Sequence, residues 1–593
     1  MSSAKSRMNK GMVVWAFALF GCPSGGETVT DAADPTGDPT GSESTETTSP
    51  GEPATATSTT GDPTGDPATA TTTTDDSTSG PATSTTTTGT STTSDSTTSD
   101  STTGDSTIGD STAGDSTTGD STTGDSTSGE DTTEGSTTGD AAPCGNGALD
   151  PGETCDDGDA DDADACSATC QEQRVQSVST GYEFTCALLS GGSTKCWGRN
   201  LLGELGQGDT DNRGAGPGEM GEALPVIDLG GSVVQVDNGS NSVCARFADG
   251  RLKCWGSNWD GELGAGDTEP RGMGPGEMGD ALPFVDLGVD SKVVAMSTGP
   301  AFVCAVTDQG QVKCWGSNWV GQLGLGDVEY RGDEPGEMGD NLPPVDLGRT
   351  VKATHIGTGD VHACALLEGG SVKCWGRGNV GQLGLGDVQI RGDGPGEMGD
   401  ALPAVDLGQG AVVKSLALGG GHSCAILGTQ ELKCWGHNDR GQLGLGDTFN
   451  RGDEPGEMGD NLPAVDLGTG RTAVALGASL FSTCAVLDDA TVKCWGDNVW
   501  GQLGLGDQQA RGDQIGEMGN NLPTVDLGPG QKAVSLANSG ALHQCAVLAS
   551  GALKCWGSNG FGRLGLGDIK NRGFGPNQMG DDLLTVKLFS EQW

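Results

Sequence analysis

A chain of 593 residues with 82 acidic and 32 basic side chains carries a formal net charge of −50, which argues against nucleic acid or an anionic membrane surface as a partner. The excess is not confined to one end, since 51 Asp and Glu stand against 29 Lys and Arg from Arg174 onward. The 19 cysteines and 105 glycines are distributed so unevenly that several segments of different character are expected.

Residues 1–21 place Lys5, Arg7 and Lys10 before a short apolar run, "GMVVWAFALFG". The run is too short to span a bilayer, which takes about 20 apolar residues, and reads as an export signal. It ends in "LFGC" and resembles the lipobox of bacterial lipoproteins, with Phe20 bulkier than the residue usual there. The resemblance implies that Cys22 is diacylated and becomes the new N-terminus. At ~0.8 kcal/mol per buried CH₂ a diacyl chain holds a protein stably, so an outer-membrane or cell-surface lipoprotein is expected, touching the membrane through its anchor alone. Residues 22–143 are built of Thr, Ser, Gly, Asp and Pro in units such as "TTGDSTTGDST", without Lys or Arg. Nothing apolar offsets the entropy of ordering them, and a long disordered stalk with a span on the order of 60 Å is expected.

Residues 144–173 hold Cys144, Cys155, Cys166 and Cys170 in "CGNGALDPGETCDDGDADDADACSATC". This resembles the myxobacterial cysteine-rich disulfide repeat of secreted and surface proteins, although "DADDADA" replaces the Asn-containing turn usual after "CDDG". Two disulfides among the four cysteines are implied, with the connectivity open. No register supplies both the turn Gly and the final Glu of an EF-hand loop, so the acidic stretch is read as solvated.

Residues 174–593 carry the other fourteen cysteines as seven pairs, each ten apart: Cys186 with Cys196, Cys244 with Cys254, Cys304 with Cys314, Cys364 with Cys374, Cys424 with Cys434, Cys484 with Cys494, and Cys545 with Cys555. In an exported chain, paired cysteines at fixed spacing imply an oxidised framework. Zinc is disfavoured because the repeats contain no CxxC and the five histidines do not follow the pairs. The period of close to 60 residues signals a propeller or solenoid. Within a unit, short Val-rich runs bounded by Gly, Asn and Asp read as strands, and no ten-residue stretch keeps a helical period. With Cys304 opposite Cys314, Ala305 faces Lys313, Val306 faces Val312, and Asp308-Gln309-Gly310 is left as a three-residue loop with Gly where a left-handed residue is wanted. Directly opposed Cα atoms lie ~4.5–5.5 Å apart, within disulfide reach. Strand alternation puts Lys313 and Trp315 on one side, and the tryptophan recurs at 197, 255, 315, 375, 435, 495 and 556, a place for packing between neighbouring sheets.

These units, "G-x-x-H-x-C-A-L…K-C-W-G-x-N-x-x-G-Q-L-G-x-G-D", resemble the repeat of the regulator of chromosome condensation family. The resemblance implies an all-β, seven-bladed β-propeller, here with four-stranded modules and with "RGDEPGEMGDNLP" insertions that lengthen each unit. The family's His falls at His362, His422 and His543, whereas Phe184, Ser242, Phe302 and Ser482 replace it elsewhere, so the place is read as packing or hydrogen bonding. The C-terminal strand, residues 583–588, is expected to return beside the first unit and complete its blade.

Among candidate sites, an Asp and an Arg stand four apart in every unit (Asp327 and Arg331 in the third), which reads as a repeated loop ion pair. "RGD" occurs at Arg331, Arg391, Arg451 and Arg511, but Ala215, Met273 and Phe574 break it elsewhere, against integrin recognition. The carboxylates of the insertions could attract a basic protein or Ca²⁺, or keep the protein soluble. Trp259, Trp319 and Trp500 vary between units and mark the candidate binding surface. No Ser/His/Asp set or phosphate loop stands out, so no enzyme, cofactor or metal is expected. The expectation is a monomeric, non-catalytic scaffold for a protein or glycan; the family resemblance alternatively implies a guanine-nucleotide-exchange regulator or a secreted enzyme inhibitor.

Overall fold

The computed structural model describes Leu149, residues 153–156, Cys166, and residues 171–537 and 541–589. The export signal, Cys22, the stalk, Cys144 and Cys170 lie outside the described residues. Among the described residues no helix is long and apolar enough to cross a membrane.

Seven antiparallel sheets follow one another, each of three strands in chain order. The units begin at Val175, Val233, Val293, Ala353, Val413, Ala473 and Ala533. In the third unit the strands are Val293–Thr298, Phe302–Thr307 and Val312–Gly316. The second and third pair Cys304 with Cys314, Ala305 with Lys313 and Val306 with Val312, the register the hairpin spacing predicts. Gly310 closes the turn at φ +78°, a left-handed backbone that a Cβ would strain.

All seven repeat disulfides are formed as the spacing predicts. Cys186 bonds Cys196, Cys244 bonds Cys254, Cys304 bonds Cys314 and Cys364 bonds Cys374. Cys424 bonds Cys434, Cys484 bonds Cys494 and Cys545 bonds Cys555. Each crosses a non-hydrogen-bonded pair with Cα–Cα 4.1 Å, somewhat closer than the spacing expected of directly opposed residues. In the cysteine-rich segment Cys155 bonds Cys166.

The cores lie between units, not within them. Cys304 and Cys314 pack against Trp375 of the fourth unit, and Trp315 in turn packs against Cys244 and Cys254 of the second. Each tryptophan ring is fully buried. Its Nε1–H donates to a carbonyl of the preceding unit, Trp315 to Glu262 O at 3.0 Å and Trp375 to Gln322 O at 3.0 Å. The seventh unit meets the first in the same way: Cys545 and Cys555 pack against Trp197, whose Nε1–H reaches Arg563 O at 3.0 Å. The first strands of neighbouring units also touch, that of unit seven against that of unit one included. The seven sheets are therefore the blades of a propeller.

Two expectations need correction. The sheets hold three strands where four are expected. The segment after each insertion makes a single backbone bond to its own third strand, as Val345 N–H does to Val312 O at 2.7 Å. In six units a proline two residues earlier (Pro343 here) removes a donor, so a continuous ladder does not form. Residues 583–588 do lie against the first unit, where Lys587 O accepts from Gly221 N–H at 3.0 Å. Their ladder bond, however, runs from Val586 N–H to Leu553 O of the seventh unit, so this segment repeats the connection made at every other junction.

Candidate functional site

Most residues that recur are occupied in holding the units together. The lysine of "KCW" is buried or nearly so in every unit, and its ammonium donates to two carbonyls: Lys313 Nζ to Leu287 O at 2.7 Å and to Gly339 O at 3.0 Å. It thereby clamps the incoming connecting segment to the loop leaving its own unit, and burial holds the Lys313 ammonium below the usual lysine range. Strand alternation already placed this lysine beside the packing tryptophan, which was the signal that it is buried. The Asp/Arg pairs are closed in all seven units at 2.6–2.7 Å. The asparagine of the "N-x-x-G" turn ties that aspartate to the turn, Asn318 Nδ2–H donating to Asp327 O at 2.9 Å and Leu323 N–H donating to Asn318 Oδ1 at 2.9 Å. In the insertions, Glu337 Oε2 accepts from Gly332 and Glu334 N–H at 3.0 and 3.1 Å, so this carboxylate folds its own loop. Among the described residues no group of three or more His, Cys, Asp and Glu is placed to hold a metal.

The histidines are likewise internal. His362, His422 and His543 are buried, and each Nε2 meets a hydroxyl of the next unit: Ser423 at 3.1 Å, Thr483 at 2.9 Å and Thr185 at 2.8 Å. Thr483 Oγ1–H donates onward to Gln442 O, so His422 Nε2 carries the proton that Thr483 accepts. Burial pushes the pKa of His362 and of His422 down to about 3.

What varies from unit to unit is the pair of residues inside the "N-x-x-G" turn. Five consecutive units present large apolar side chains to solvent there: Val499 and Trp500 in unit six, Phe561 in unit seven, Leu201 in unit one, Trp259 in unit two and Trp319 in unit three. Trp259 and Trp319 are 55 % and 54 % exposed and Trp500 is 44 % exposed, in contrast to the buried tryptophans of the junctions. Units four and five carry Asn379-Val380 and Asp439-Arg440 instead. The three candidate tryptophans thus lie at equivalent turns of one propeller. Trp259 and Trp319 occupy the first variable position on adjoining units, while Trp500 occupies the second, three units beyond Trp319.

The residues just below this surface also differ. Gln322, Gln382, Gln442 and Gln502 each accept a turn N–H, whereas Glu204 and Glu262 do so in units one and two. Burial pushes the Glu262 carboxyl up to about 7. Next to it, burial and, to a lesser degree, the Asp333 carboxylate raise Asp260, with nearby Ser317 acting in the opposite direction. Tyr330, also near Ser317, is raised by burial and by the Asp260 and Asp333 carboxylates. Asp260, Ser317, Tyr330 and Asp333 therefore form one cluster between units two and three.

Such a fold, with invariant residues spent on junctions and variable ones on exposed turns, defines a β-propeller scaffold with a variable turn surface. Residues 175–204, 293–322, 353–382 and 413–442 match the Regulator of chromosome condensation (RCC1) repeat. It is similar to the Ultraviolet-B receptor UVR8 of Arabidopsis thaliana, 29 % identical over 432 residues that cover 70 % of this chain and 84 % of the receptor. It is 26 % identical over 398 residues to the E3 ubiquitin-protein ligase HERC2 of Homo sapiens, covering 65 % of this chain but only 7 % of the ligase. Among solved structures, Prp20p from Saccharomyces cerevisiae superposes with a TM-score of 0.50 at 18 % identity, covering 70 % of this chain and 87 % of Prp20p, a likeness of fold.

Proposed function

We propose that this is an exported, lipid-anchored surface protein whose propeller is a non-catalytic binding scaffold for a protein or glycan. The observation that carries the binding reading is the run of exposed apolar turn residues from Val499 through Phe561 and Leu201 to Trp319, on a fold whose repeated polar groups are already engaged internally. Large aromatic side chains left exposed on a rigid frame are what a recognition surface presents. Export is supported by the basic-then-apolar start, by "LFGC", and by seven repeat disulfides of a kind that persists in oxidising compartments. Prp20p was described together with its binding properties to Gsp1p and histones. An exchange-factor role of that kind is disfavoured here by the oxidised framework, and fold alone does not transfer function.

Both halves are testable on cells. Protease added outside intact cells should remove the propeller, and Cys22→Ala should release it from the membrane fraction. A protein protected from external protease would overturn the surface location. A Trp259→Ala/Trp319→Ala chain that keeps all its cell-surface cross-links would overturn the assignment of the binding face.

A further inference from the structure

Most carboxylates at the turn level have a cation of their own. Asp360 is offset by Arg377, and Asp497 by Arg440. Glu183 lies 3.2 Å from Arg563 and 3.6 Å from Arg199. The junction of units two and three departs from this pattern. Asp260 stands where the other turns carry Leu202, Val320, Val380, Arg440, Trp500 or Phe561. Its neighbours are Ser317 and Asp333, and among the described residues no lysine or arginine offsets it. Arg331, the nearest guanidinium in sequence to Asp333, is engaged by Asp327 at 2.7 Å. Gly261 packs its Cα against the backbone of Gly332 and Asp333, which holds the two carboxylate-bearing segments together. Trp259 directly precedes Asp260, and Trp319 lies two residues beyond Ser317.

We propose that this junction is the docking point for a lysine- or arginine-bearing segment of a partner protein, with the cation received by Asp260 and Asp333 and the side-chain stem and backbone lying on Trp259 and Trp319. The chemistry is complementary on both counts. A guanidinium or ammonium relieves the repulsion between Asp260 and Asp333, whose other carboxyl neighbour is Glu337, and an indole face attracts the same cation. Arginine suits the place best, because its planar head both stacks on an aromatic face and bonds a carboxylate in two places. The excess of acid over base across residues 174–593 speeds the approach of such a segment. The proposal rests on the binding reading above and narrows it to one junction and one class of partner.

The test uses the full chain with fluorescein-labelled octa-arginine as the probe, octaglutamate as its control, and anisotropy as the readout at about 0.15 M salt. Octa-arginine should bind and octaglutamate should not. Asp260→Asn, which keeps the side chain's shape, and Trp259→Ala should each weaken binding by about tenfold. Asp439→Asn and Asp453→Asn, which remove the same charge from the turn and insertion of unit five, should change it less than about twofold. Equal losses from all four variants would mean a diffuse acidic field and overturn the proposal. So would displacement of the peptide by Ca²⁺ alone at a concentration that leaves Asp260→Asn unaffected, since that marks a metal site. Near-ultraviolet circular dichroism identifies any variant that has failed to fold; the Asp260→Asn result then decides alone. Selection from a random displayed-peptide library separates the two readings. Enrichment of basic peptides sensitive to Asp260→Asn supports the inference. Enrichment of acidic or apolar peptides overturns it while leaving a protein-binding scaffold, and enrichment of none overturns it while leaving only the glycan-binding form of the scaffold.

Discussion

The histidine at the blade junctions makes a quantitative prediction, because its neighbours vary with it. Where His stands, the facing residue of the next unit is a hydroxyl: His362 with Ser423, His422 with Thr483, His543 with Thr185. Phe184 and Phe302 hold the same place in units one and three, where the residues corresponding to those hydroxyls are Val243 and Ala363. The pair His422→Phe/Thr483→Val therefore transplants the Phe184/Val243 arrangement into the junction of units five and six. At pH 7.5 the cost should stay within about 1 kcal/mol, since both hydrogen-bonding partners leave together and Gln442 O keeps its bond from Trp495 Nε1. Below pH 6.5 the two proteins should part. The folded-state pKa of His422 is depressed from 6.5 to about 3, so its contribution is fully present above pH 6.5 and is lost as pH falls toward 3. At pH 5 the unfolded chain binds the proton and the folded chain does not, a penalty of about 2 kcal/mol for this one ring. Asp237 and Glu262, raised to about 7, and Asp360, raised to about 6, act with the opposite sign: their contribution is present below pH 4 and fades as pH rises through 6 to 7. The profile of the unaltered protein thus sums contributions of opposite sign, and only the difference between variant and parent isolates the histidine. Urea denaturation at half-unit steps from pH 7.5 to 4.5 measures it. Parallel profiles for the two proteins would show that His422 is not held neutral by burial and would refute the reasoning.

Other consequences are smaller in scope. Removing one staple with Cys304→Ala/Cys314→Ala opens a loop of about eleven residues and should cost about 2.7 kcal/mol on the chain-entropy account, read as a lower unfolding midpoint. Thiol labelling of the unreduced protein should find the fourteen repeat cysteines unreactive. Ala490 takes the hairpin position at φ +65° that glycine holds in five other units, so Ala490→Gly should raise stability by about 0.5–1 kcal/mol in the same assay. Trp435→Phe removes the 3.1 Å bond to Gln382 O together with part of the packing on Cys364 and Cys374, and a loss of about 2 kcal/mol is expected.

Much of the fold was legible because it repeats. Ten-residue cysteine spacing with Gly310 in the loop determines one hairpin register, and that register recurs in all seven units. The packing role of Trp315 followed from alternation alone, although not that it reaches back to the preceding unit, because strand periodicity says which face a side chain takes and nothing about the neighbour it meets. The connecting segment was harder. "LPPVDL" has the composition of a strand, but its two prolines and a 3-10 turn at Gly339–Asn341 leave it with a single ladder bond. The proposed binding surface was legible only in part. Trp259 and Trp319 drew notice as aromatics that break the repeat, whereas Asp260 was hidden: an aspartate in a turn is ordinary, and what distinguishes it is the missing arginine, a fact about neighbours brought in from the next unit.

The same logic applies beneath the turns. Gln502 serves its site with both ends of its amide, accepting from Trp500 N–H and donating from Nε2 to Asp497 Oδ2 at 2.6 Å. Glu204 and Glu262 reproduce only the accepting half and bring a buried acid that structure alone does not require. Arg563 holds the corresponding place in unit seven, buried and paired with Glu183. Units seven, one and two therefore depart in charge from the glutamine pattern of units three to six, and they are also the middle of the run of exposed apolar turns. Arg563 and Glu204 are joined through Glu183 and Arg199 across the junction of units seven and one, whereas Glu262 forms no ion pair among the described residues. The coincidence of that departure with the exposed aromatics supports the proposal that one sector of the propeller is the part that recognises something outside the chain.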